Sequence, residues 1–351
     1  MFSRRSKVRT AAAGVLATTL ALSACSADSS DEASGGDDLT DVTVVLGWFP
    51  SPESGGYYTA QQLGYYEDAG LNVTIELGGP QVSGTQLVAS GRADFGITGA
   101  GANEIIQARD EGIPLKAVNA VIQESMTGMM VHADTGIESL EDTDGMTWVN
   151  SPGVLGVEWV KHEYGIDFPQ MQFSGSIANF LQDDTLVQQE IAPNGPYVAN
   201  QEGVEVTFLP FADTGFSPYN SVTFVTDDYL EENRDIVEAF VDASNQGWRD
   251  YMGDVEIAGE INNYLIEEAG SDYSLDHTWF WWEAQRDYIL TGEGTETIGA
   301  MTPERWTDLI DQMQSLGVLS GEVALDDVAD FTVTPDIAPL DALPEAPEGS
   351  Y

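Results

Sequence analysis

The residues best suited to holding a small molecule are aromatic. Trp48 and Phe49 directly follow the β-branched run at residues 42–46, which predicts a buried strand, and Tyr57 lies at the start of the next helical pattern. An aromatic face at a strand end can stack on a flat ring, which contributes roughly 0.5–1.5 kcal/mol beyond burial. Either these rings form a wall of a ligand cleft or they pack beneath the loop, and Tyr57 fits both arrangements.

Two loops of small residues are candidates for close contact with a ligand, because each joins a predicted strand to a helix start. Free N–H groups at the positive end of a helix can approach a ligand there. The first loop contains Thr98, Gly99 and Ala100, and the second contains Asn150, Ser151 and Gly153. The second loop fits a simple helix cap equally well. A dinucleotide-binding fingerprint is not formed, since Glu104 stands at the third glycine position.

Further polar and aromatic candidates fall at the predicted ends of later strands and helices. They are Asn179, Glu190, Asn194 and Tyr197, followed by Asp213 and Tyr219 near a second chain crossing. We expect the last two to contact a ligand when a cleft closes.

Catalytic motifs are missing from the sequence. His132, His162 and His277 lie far apart, and neither H-x-x-x-H, H-E-x-x-H, G-x-S-x-G nor a phosphate-binding P-loop occurs. We therefore expect no catalytic residue, no metal and no cofactor. Carboxylates are so abundant that the sequence cannot test a paired-acid mechanism.

The N-terminus reads as an export signal. Four basic residues precede an apolar stretch at residues 11–22 that is too short for a comfortable bilayer span, and Leu22-Ser23-Ala24-Cys25 follows. This ending resembles a bacterial lipobox, so we expect a signal peptide at 1–25 and a lipid on Cys25. Cys25 is the only cysteine, which excludes disulfides from the mature chain. The choice between general and twin-arginine export stays open.

Composition predicts the remaining domain organisation. Residues 26–40 are Ser, Asp, Glu and Gly with little apolar surface, so they predict a flexible acidic tether, and residues 331–351 predict a disordered acidic tail. The stretch between is too long for one typical core. We predict lobe 1 at 41–131 and 223–330 and lobe 2 at 132–222.

The charge balance is strongly acidic. Four of the twelve Lys and Arg lie in the predicted signal, which leaves eight basic residues against 59 acidic ones. This excess excludes nucleic acid as a partner and argues against charge-driven adhesion to anionic lipid. A surface of this kind is typical of solubility in high salt.

Strand and helix patterns alternate along the chain. Such alternation predicts βαβ units and a mainly parallel sheet in each of two lobes, with small ligands bound in the cleft at the strand ends. A strongly helical region follows from residue 228, and its aromatic run at 279–282 is expected to serve packing.

Three segments together resemble the substrate-binding proteins for nitrate, sulfonates, taurine and the pyrimidine precursor of thiamine. They are residues 48–73, 87–97 and 211–220, and the last is more similar to the thiamine-pyrimidine branch. The resemblance implies an α/β periplasmic-binding-protein type 2 fold with two crossovers, which closes over its ligand. It also implies an ABC permease and its ATPase as partners, with the binding protein a monomer on the outer face of the membrane, held by lipid alone.

One departure from the family pattern bears on the ligand. Related pyrimidine binders carry an acidic residue just before the proline that matches Pro196, whereas this chain has Gly195. Recognition of an aminopyrimidine would then need Glu190 or Asp213. No arginine fork for an anion is evident. We therefore expect a neutral or weakly cationic, partly aromatic ligand such as a thiamine-pyrimidine precursor or a riboflavin-like molecule. A small sulfonate, taurine or nitrate, an enzyme of thiamine-pyrimidine metabolism, and a sensor or adhesin remain the alternatives.

Overall fold

The computed structural model describes residues 39–79, 81–333, 336–340 and 342–351. The predicted signal peptide, the predicted lipidation site Cys25 and almost all of the predicted tether lie outside these ranges. Within the described ranges, no helix has the length and apolar character needed to cross a bilayer.

The strands and helices alternate through most of the chain, as the sequence predicts. The strands are β1 (Thr40–Val45), β2 (Leu71–Glu76), β3 (Phe95–Ile97), β4 (Leu115–Ile122), β5 (Thr127–His132), β6 (Thr147–Asn150), β7 (Gln170–Gln172), β8 (Leu186–Ile191), β9 (Val206–Pro210) and β10 (Asn220–Thr226). The helices are α1 (Gly55–Gln62), α2 (Tyr65–Asp68), α3 (Gly84–Ala89), α4 (Asn103–Asp110), α5 (Leu155–Tyr164), α6 (Gly195–Gln201), α7 (Asp227–Glu232), α8 (Arg234–Gly253), α9 (Val255–Glu267), α10 (Leu275–Ile289), α11 (Pro303–Ser315) and α12 (Leu325–Val328).

Two sheets share one topology. The first has the order β2-β1-β3-β10-β4 and the second the order β7-β6-β8-β5-β9. In each, three strands are parallel and the next strand, β10 or β5, runs antiparallel to both of its neighbours. Strands β4 and β10 are nearly continuous buried runs, which is typical of sheets covered on both faces.

The late helices complete the first lobe. α8 lies against α1, where the ring of Trp248 occupies the space beside Gly56, and a Cβ there would come within 2.2 Å of that ring. Asp254 caps α9 and Ser274 caps α10 through side-chain oxygens that accept backbone N–H bonds. Of the aromatic run in α10, Trp279, Trp281 and Trp282 are buried.

The chain crosses between the sheets at residues 123–126 and 211–219. The two crossings contact each other, since the Ser125 N–H donates to Ser217 Oγ at 3.2 Å. Strand β5 pairs only within the second sheet, and strand β10 pairs only within the first. The chain therefore passes from one sheet to the other a few residues before each predicted lobe boundary. The lobe boundaries themselves stay predictions.

The C-terminal segment differs from the disordered tail predicted from its composition. Along its described residues, Leu340 packs against Gly253, and the Arg249 Nε–H donates to the Ala338 carbonyl at 3.2 Å. The Tyr351 ring meets Phe280 edge-on at 5.4 Å between centroids. A few apolar residues spaced among the acidic ones are sufficient to hold the segment on the late helices, although its average composition is polar.

Candidate functional site

The carboxyl ends of the parallel strands in both sheets meet the two crossings. Residue pairing places the end of β4 beside the start of β10, at Ile122 and Asn220. In the second sheet it places the end of β8 beside the start of β5, at Ile191 and Thr127. Because each crossing joins one of these edges to the other, the strand ends of the two sheets face a common cleft, where α/β folds bind small ligands.

A small hollow of about 20 Å³ lies at the strand ends of the first sheet. It is lined by Leu46, Gly47, Trp48, Phe49, Ser51, Glu53, Ser54, Tyr57, Ile97, Thr98, Gly99 and Ser221. Five of these residues were predicted from the sequence: Trp48, Phe49, Tyr57, Thr98 and Gly99. The lining contains aromatic rings, hydroxyl groups and one carboxyl group, and it contains no basic side chain.

Trp48 and Phe49 form the outer rim of the hollow. Their side chains are 46% and 50% exposed, and the rings meet edge-on at 5.7 Å between centroids. Covering these exposed rings with another apolar surface removes them from water and is favourable. The rim therefore offers a face on which a flat ligand can stack.

Tyr57 lies at the base of the hollow rather than at the rim. It is fully buried, and its hydroxyl lies 3.4 Å from Thr223 Oγ1. Burial raises its pKa, so it stays a neutral hydroxyl. Ser221, next to it, has a φ of 49°, a left-handed conformation that is costly for a residue with a side chain.

Close backbone contact between two strand-end loops shapes the floor. A Cβ at Gly47 would lie 2.5 Å from the Thr98 carbonyl, and one at Gly99 would lie 2.6 Å from the Gly47 carbonyl oxygen. Thr98 is turned inward, where its Oγ1 accepts the Val222 N–H at 3.0 Å. Both glycines are therefore required for the approach of these loops.

The loop at the start of α4 is already occupied by a side chain of this protein. The Ala100 N–H donates to the carboxylate of Glu104, and the loss of water around that carboxylate raises its pKa. The sequence predicted Ala100 as a free donor for a ligand. The structure instead gives its N–H to the Glu104 carboxyl, so this donor is not free for an anionic ligand.

Glu53 was missed by the sequence predictions. It sits in a short 3-10 turn at Pro52–Ser54, where Ser51 and Ser54 form a reciprocal capping box. The Gln285 side-chain amide donates to the Pro52 carbonyl at 3.0 Å and ties the turn to α10. Burial raises the pKa of the half-buried Glu53 carboxyl to about 7.

Asn150 ends β6 on the facing edge of the second sheet. Its side chain is 6% exposed, and its Nδ2 donates to the Ser151 carbonyl at 3.0 Å. Its Oδ1 has no hydrogen-bond partner within the described residues. Ser151 gives its N–H to Gln189 Oε1 at 2.7 Å, whereas Gly153 lies exposed with a φ of 78°.

Glu190 lies at the end of β8, and its carboxylate accepts from Asn194 Nδ2 at 2.9 Å. Burial raises its pKa, and the bond to Asn194 partly offsets this effect. A Cβ at Gly195 would lie 2.5 Å from the Glu190 side chain and 2.6 Å from the Met130 sulfur. Position 195 therefore has no room for an acidic side chain, and Glu190 fills that space.

An aromatic contact joins the two halves beside Glu190. The Tyr197 ring stacks on His277 of α10 at 4.1 Å between centroids, and His277 Nε2 lies 3.1 Å from the Pro193 carbonyl oxygen. Tyr273, which also meets His277, has its pKa raised to about 12 by burial first and then by the charges of Glu53 and Glu190. The carboxyl groups of Glu53, beside the first sheet, and of Glu190, in the second sheet, thus both raise the pKa of Tyr273.

Other predicted contacts lie elsewhere. Tyr219 is buried in a crossing cluster, defined here as Gln123, Ser217, Tyr219, Glu293 and Arg305. Its hydroxyl accepts the Thr302 N–H at 3.1 Å, and the Arg305 guanidinium lies 3.8 Å above its ring. Arg305 also donates to the carbonyls of Gln123 and Ser217, one in each crossing, and pairs with Glu293.

Asp213 and Asn179 are exposed, the first in the turn Phe211–Thr214 and the second just before the turn Phe180–Gln182. Neither lines the hollow. Among the described residues, no group of three His, Cys, Asp or Glu side chains is arranged to hold a metal ion.

Comparison with known proteins gives a family and a fold. A family model described as "NMT1/THI5 like" matches residues 51–257. The chain is 23% identical to the riboflavin-binding protein RibY of Chloroflexus aurantiacus, over 81% of this chain and 83% of that protein. It is 26% identical to the formylaminopyrimidine-binding protein of Halalkalibacterium halodurans, over 72% and 77%. A 4-amino-5-hydroxymethyl-2-methylpyrimidine phosphate synthase of Saccharomyces cerevisiae, THI11, is 21% identical over 64% and 73%.

The solved structures include the periplasmic aliphatic sulphonate binding protein SsuA of Escherichia coli, with a TM-score of 0.64 and 14% identity over 88% of this chain and 97% of that one. This likeness confirms the predicted two-lobed periplasmic-binding-protein fold. The family model spans more than half of the sequence and includes both crossings and eight of the twelve residues that line the hollow, although the rim lies just before it. The chain therefore belongs to the NMT1/THI5-like family.

Proposed function

We propose that this protein is the extracytoplasmic solute-binding component of an ABC importer, and that it captures a small, neutral or weakly cationic, partly aromatic metabolite. The observation that carries the proposal is the hollow at the strand ends of the first sheet, with the exposed Trp48 and Phe49 at its rim. The names of the riboflavin-binding and formylaminopyrimidine-binding relatives support a ligand with a flat ring.

Charge supports a ligand that is not an anion. Seven of the eight basic residues beyond residue 25 form ion pairs with carboxylates, and the remaining one, Arg92, is exposed and does not line the hollow. Glu53 lines the hollow and Glu104 occupies the adjoining N–H group. A sulfonate or nitrate would meet two carboxylates and no cation there, so desolvation of the anion would go uncompensated.

Export and anchoring rest on the sequence. The basic start, the short apolar stretch and the lipobox-like ending at Cys25 support a lipid anchor on the outer face of the membrane. We propose a monomer that delivers its ligand to a permease and ATPase pair. The eight-to-59 ratio of basic to acidic residues supports a protein that stays soluble and functions at high salt concentration.

A thermal-shift screen at high salt tests the transport proposal, because a ligand that binds only the folded state raises its apparent stability. The screen contains 4-amino-5-hydroxymethyl-2-methylpyrimidine, thiamine, riboflavin, taurine and nitrate. We expect a ring compound to raise the unfolding temperature and the two anion-bearing compounds to leave it unchanged. Conversion of a ring compound by the purified protein would instead favour the enzyme hypothesis.

Substitution Trp48→Ala tests the rim. We expect it to weaken binding of the ring compound more than tenfold, because one face of the ring loses its stacking partner. The unfolding temperature should hardly change, since nearly half of the Trp48 surface is exposed. Val318→Ala, a 38% exposed apolar position that does not line the hollow, is the control. Unchanged affinity in the Trp48 variant would show that the cleft wall is misplaced.

A further inference from the structure

Three glutamates near the strand ends have raised pKa values through burial, and they differ in how their carboxyl groups are bonded. Glu104 accepts the Ala100 N–H, and Glu190 accepts from Asn194. The Glu53 carboxyl has no hydrogen bond and no ion pair with any described residue, and burial alone raises its pKa to about 7. A half-buried carboxyl at a hollow, without a partner among the described residues, is free to accept a hydrogen bond from a ligand.

The position of Glu53 is fixed by its surroundings. The capping box of Ser51 and Ser54 holds the backbone turn, and the bond from Gln285 holds that turn on α10. Directly behind it, a Cβ at Gly55 would lie 2.2 Å from the Tyr251 ring, so the start of α1 is packed without free space. The turn therefore holds Glu53 in the lining of the hollow.

The lining around Glu53 offers it no charge partner. The other polar side chains of the hollow are hydroxyl groups: Ser51, Ser54, Tyr57, Thr98 and Ser221. On the facing sheet edge, Asn150 presents a buried oxygen that also lacks a donor. Acceptor groups without protein donors at both edges are suited to a ligand that brings donors of its own.

We infer that Glu53 is the specificity-determining residue of this cleft: its carboxylate accepts a hydrogen bond from an amino, amidine or ring N–H group of the ligand and rejects ligands that present an anion or a bare carbonyl there. This inference rests on the proposed binding function and deepens it. The ligand class is a nitrogen-containing ring with a donor edge, stacked on Trp48.

The inference has a pH signature. A ligand N–H favours the ionised carboxylate, so binding is weakened where Glu53 is protonated, and affinity rises about tenfold between pH 6 and pH 8. The titratable groups that face Glu53 are Tyr57 on α1 and Tyr273 ahead of α10, with His277 and Glu190 behind Tyr273. The two tyrosines stay protonated in this range, and burial lowers the pKa of His277, which favours its neutral form. Glu190 is the remaining group that can titrate.

The experiment is calorimetric titration with riboflavin and with 4-amino-5-hydroxymethyl-2-methylpyrimidine at pH 6, 7 and 8. It compares the natural protein with Glu53→Gln, Glu190→Gln and the exposed α2 control Glu67→Gln. We expect Glu53→Gln to lose at least tenfold in affinity at pH 8 and to lose the pH dependence. The Glu67→Gln variant should match the natural protein, and the pH dependence should persist in Glu190→Gln.

The outcomes separate the inference from the proposed function. If the natural protein binds a ring compound and Glu53→Gln binds it equally well with the same pH profile, the inference is overturned and the binding function stands. An affinity that falls as the pH rises would show that the ligand takes the protonated carboxyl, which also overturns the inference. If neither compound binds the natural protein, the proposed ligand class fails, and the inference fails with it.

Discussion

The hollow and the crossing cluster both bring polar groups together at the strand ends, yet they are built in opposite ways. In the crossing cluster, the Arg305 guanidinium has two carbonyls, a carboxylate and an aromatic face as partners. In the hollow, the Glu53 carboxyl has no hydrogen bond or ion pair with a described residue, and Trp48 is half exposed. Satisfied polar groups stabilise a fold, whereas unsatisfied ones remain available to a ligand. The difference assigns the crossing cluster to structure and the hollow to binding.

The substitution Arg305→Met tests the structural role of the crossing cluster and should have the largest effect on stability. We expect it to lower the free energy of unfolding by about 2–4 kcal/mol, because several partners of a charged group lose their bonds at once. A denaturant titration measures the change. Arg234→Met is the matched control, since Arg234 is 38% exposed, pairs with Glu238 and Asp330 and should contribute under about 1 kcal/mol. Equal losses in the two variants would contradict the structural role of the crossing cluster.

A second test concerns the stability contribution of Glu53. Its pKa rises from an ordinary value of 4.5 to about 7 on folding, so ionisation opposes folding and the penalty grows as the pH rises between these values. Glu53→Gln should therefore be about as stable as the natural protein at pH 4 and more stable by about 2–3 kcal/mol at pH 8. Urea unfolding at both pH values measures this, with Glu67→Gln as the control. A variant that is less stable at pH 8 would show that the carboxylate has a partner in the free protein.

The smallest expected effect belongs to Tyr219→Phe. The substitution removes one acceptor for the Thr302 N–H and keeps the ring under Arg305, so the loss of stability should be about 1 kcal/mol. Ligand affinity, measured by the same calorimetric titration, should not change. A tenfold loss of affinity without loss of stability would place Tyr219 in the ligand contact that its sequence position suggested.

The sequence predicts the elements well, because each element buries its own residues in a local pattern. The predicted alternation of strands and helices and the predicted helical region after residue 228 are both present. In a helix or strand that buries one face, the apolar residues repeat along the sequence with the period of that element.

The sequence predicts the site less well, because its partners are distant in the chain. Arg305 and Gln123 are 182 positions apart, and nothing in either segment indicates that they bond. Glu53 is likewise a charged residue in a loop of Ser and Pro. Nothing in that segment indicates that its carboxyl has no hydrogen-bond or ion-pair partner among the described residues. Glu104 was considered only as a missing glycine, although its carboxylate takes the Ala100 N–H four residues before it.

The most direct measurement is a crystal structure of the protein with whichever ring compound the thermal-shift screen identifies. The account predicts the ring against Trp48 in the hollow of the first lobe, a ligand nitrogen within hydrogen-bonding distance of the Glu53 carboxylate, and Asn150 closing from the opposite strand edge. A ligand bound outside this hollow, with Trp48 and Asn150 remote from it, would contradict the account.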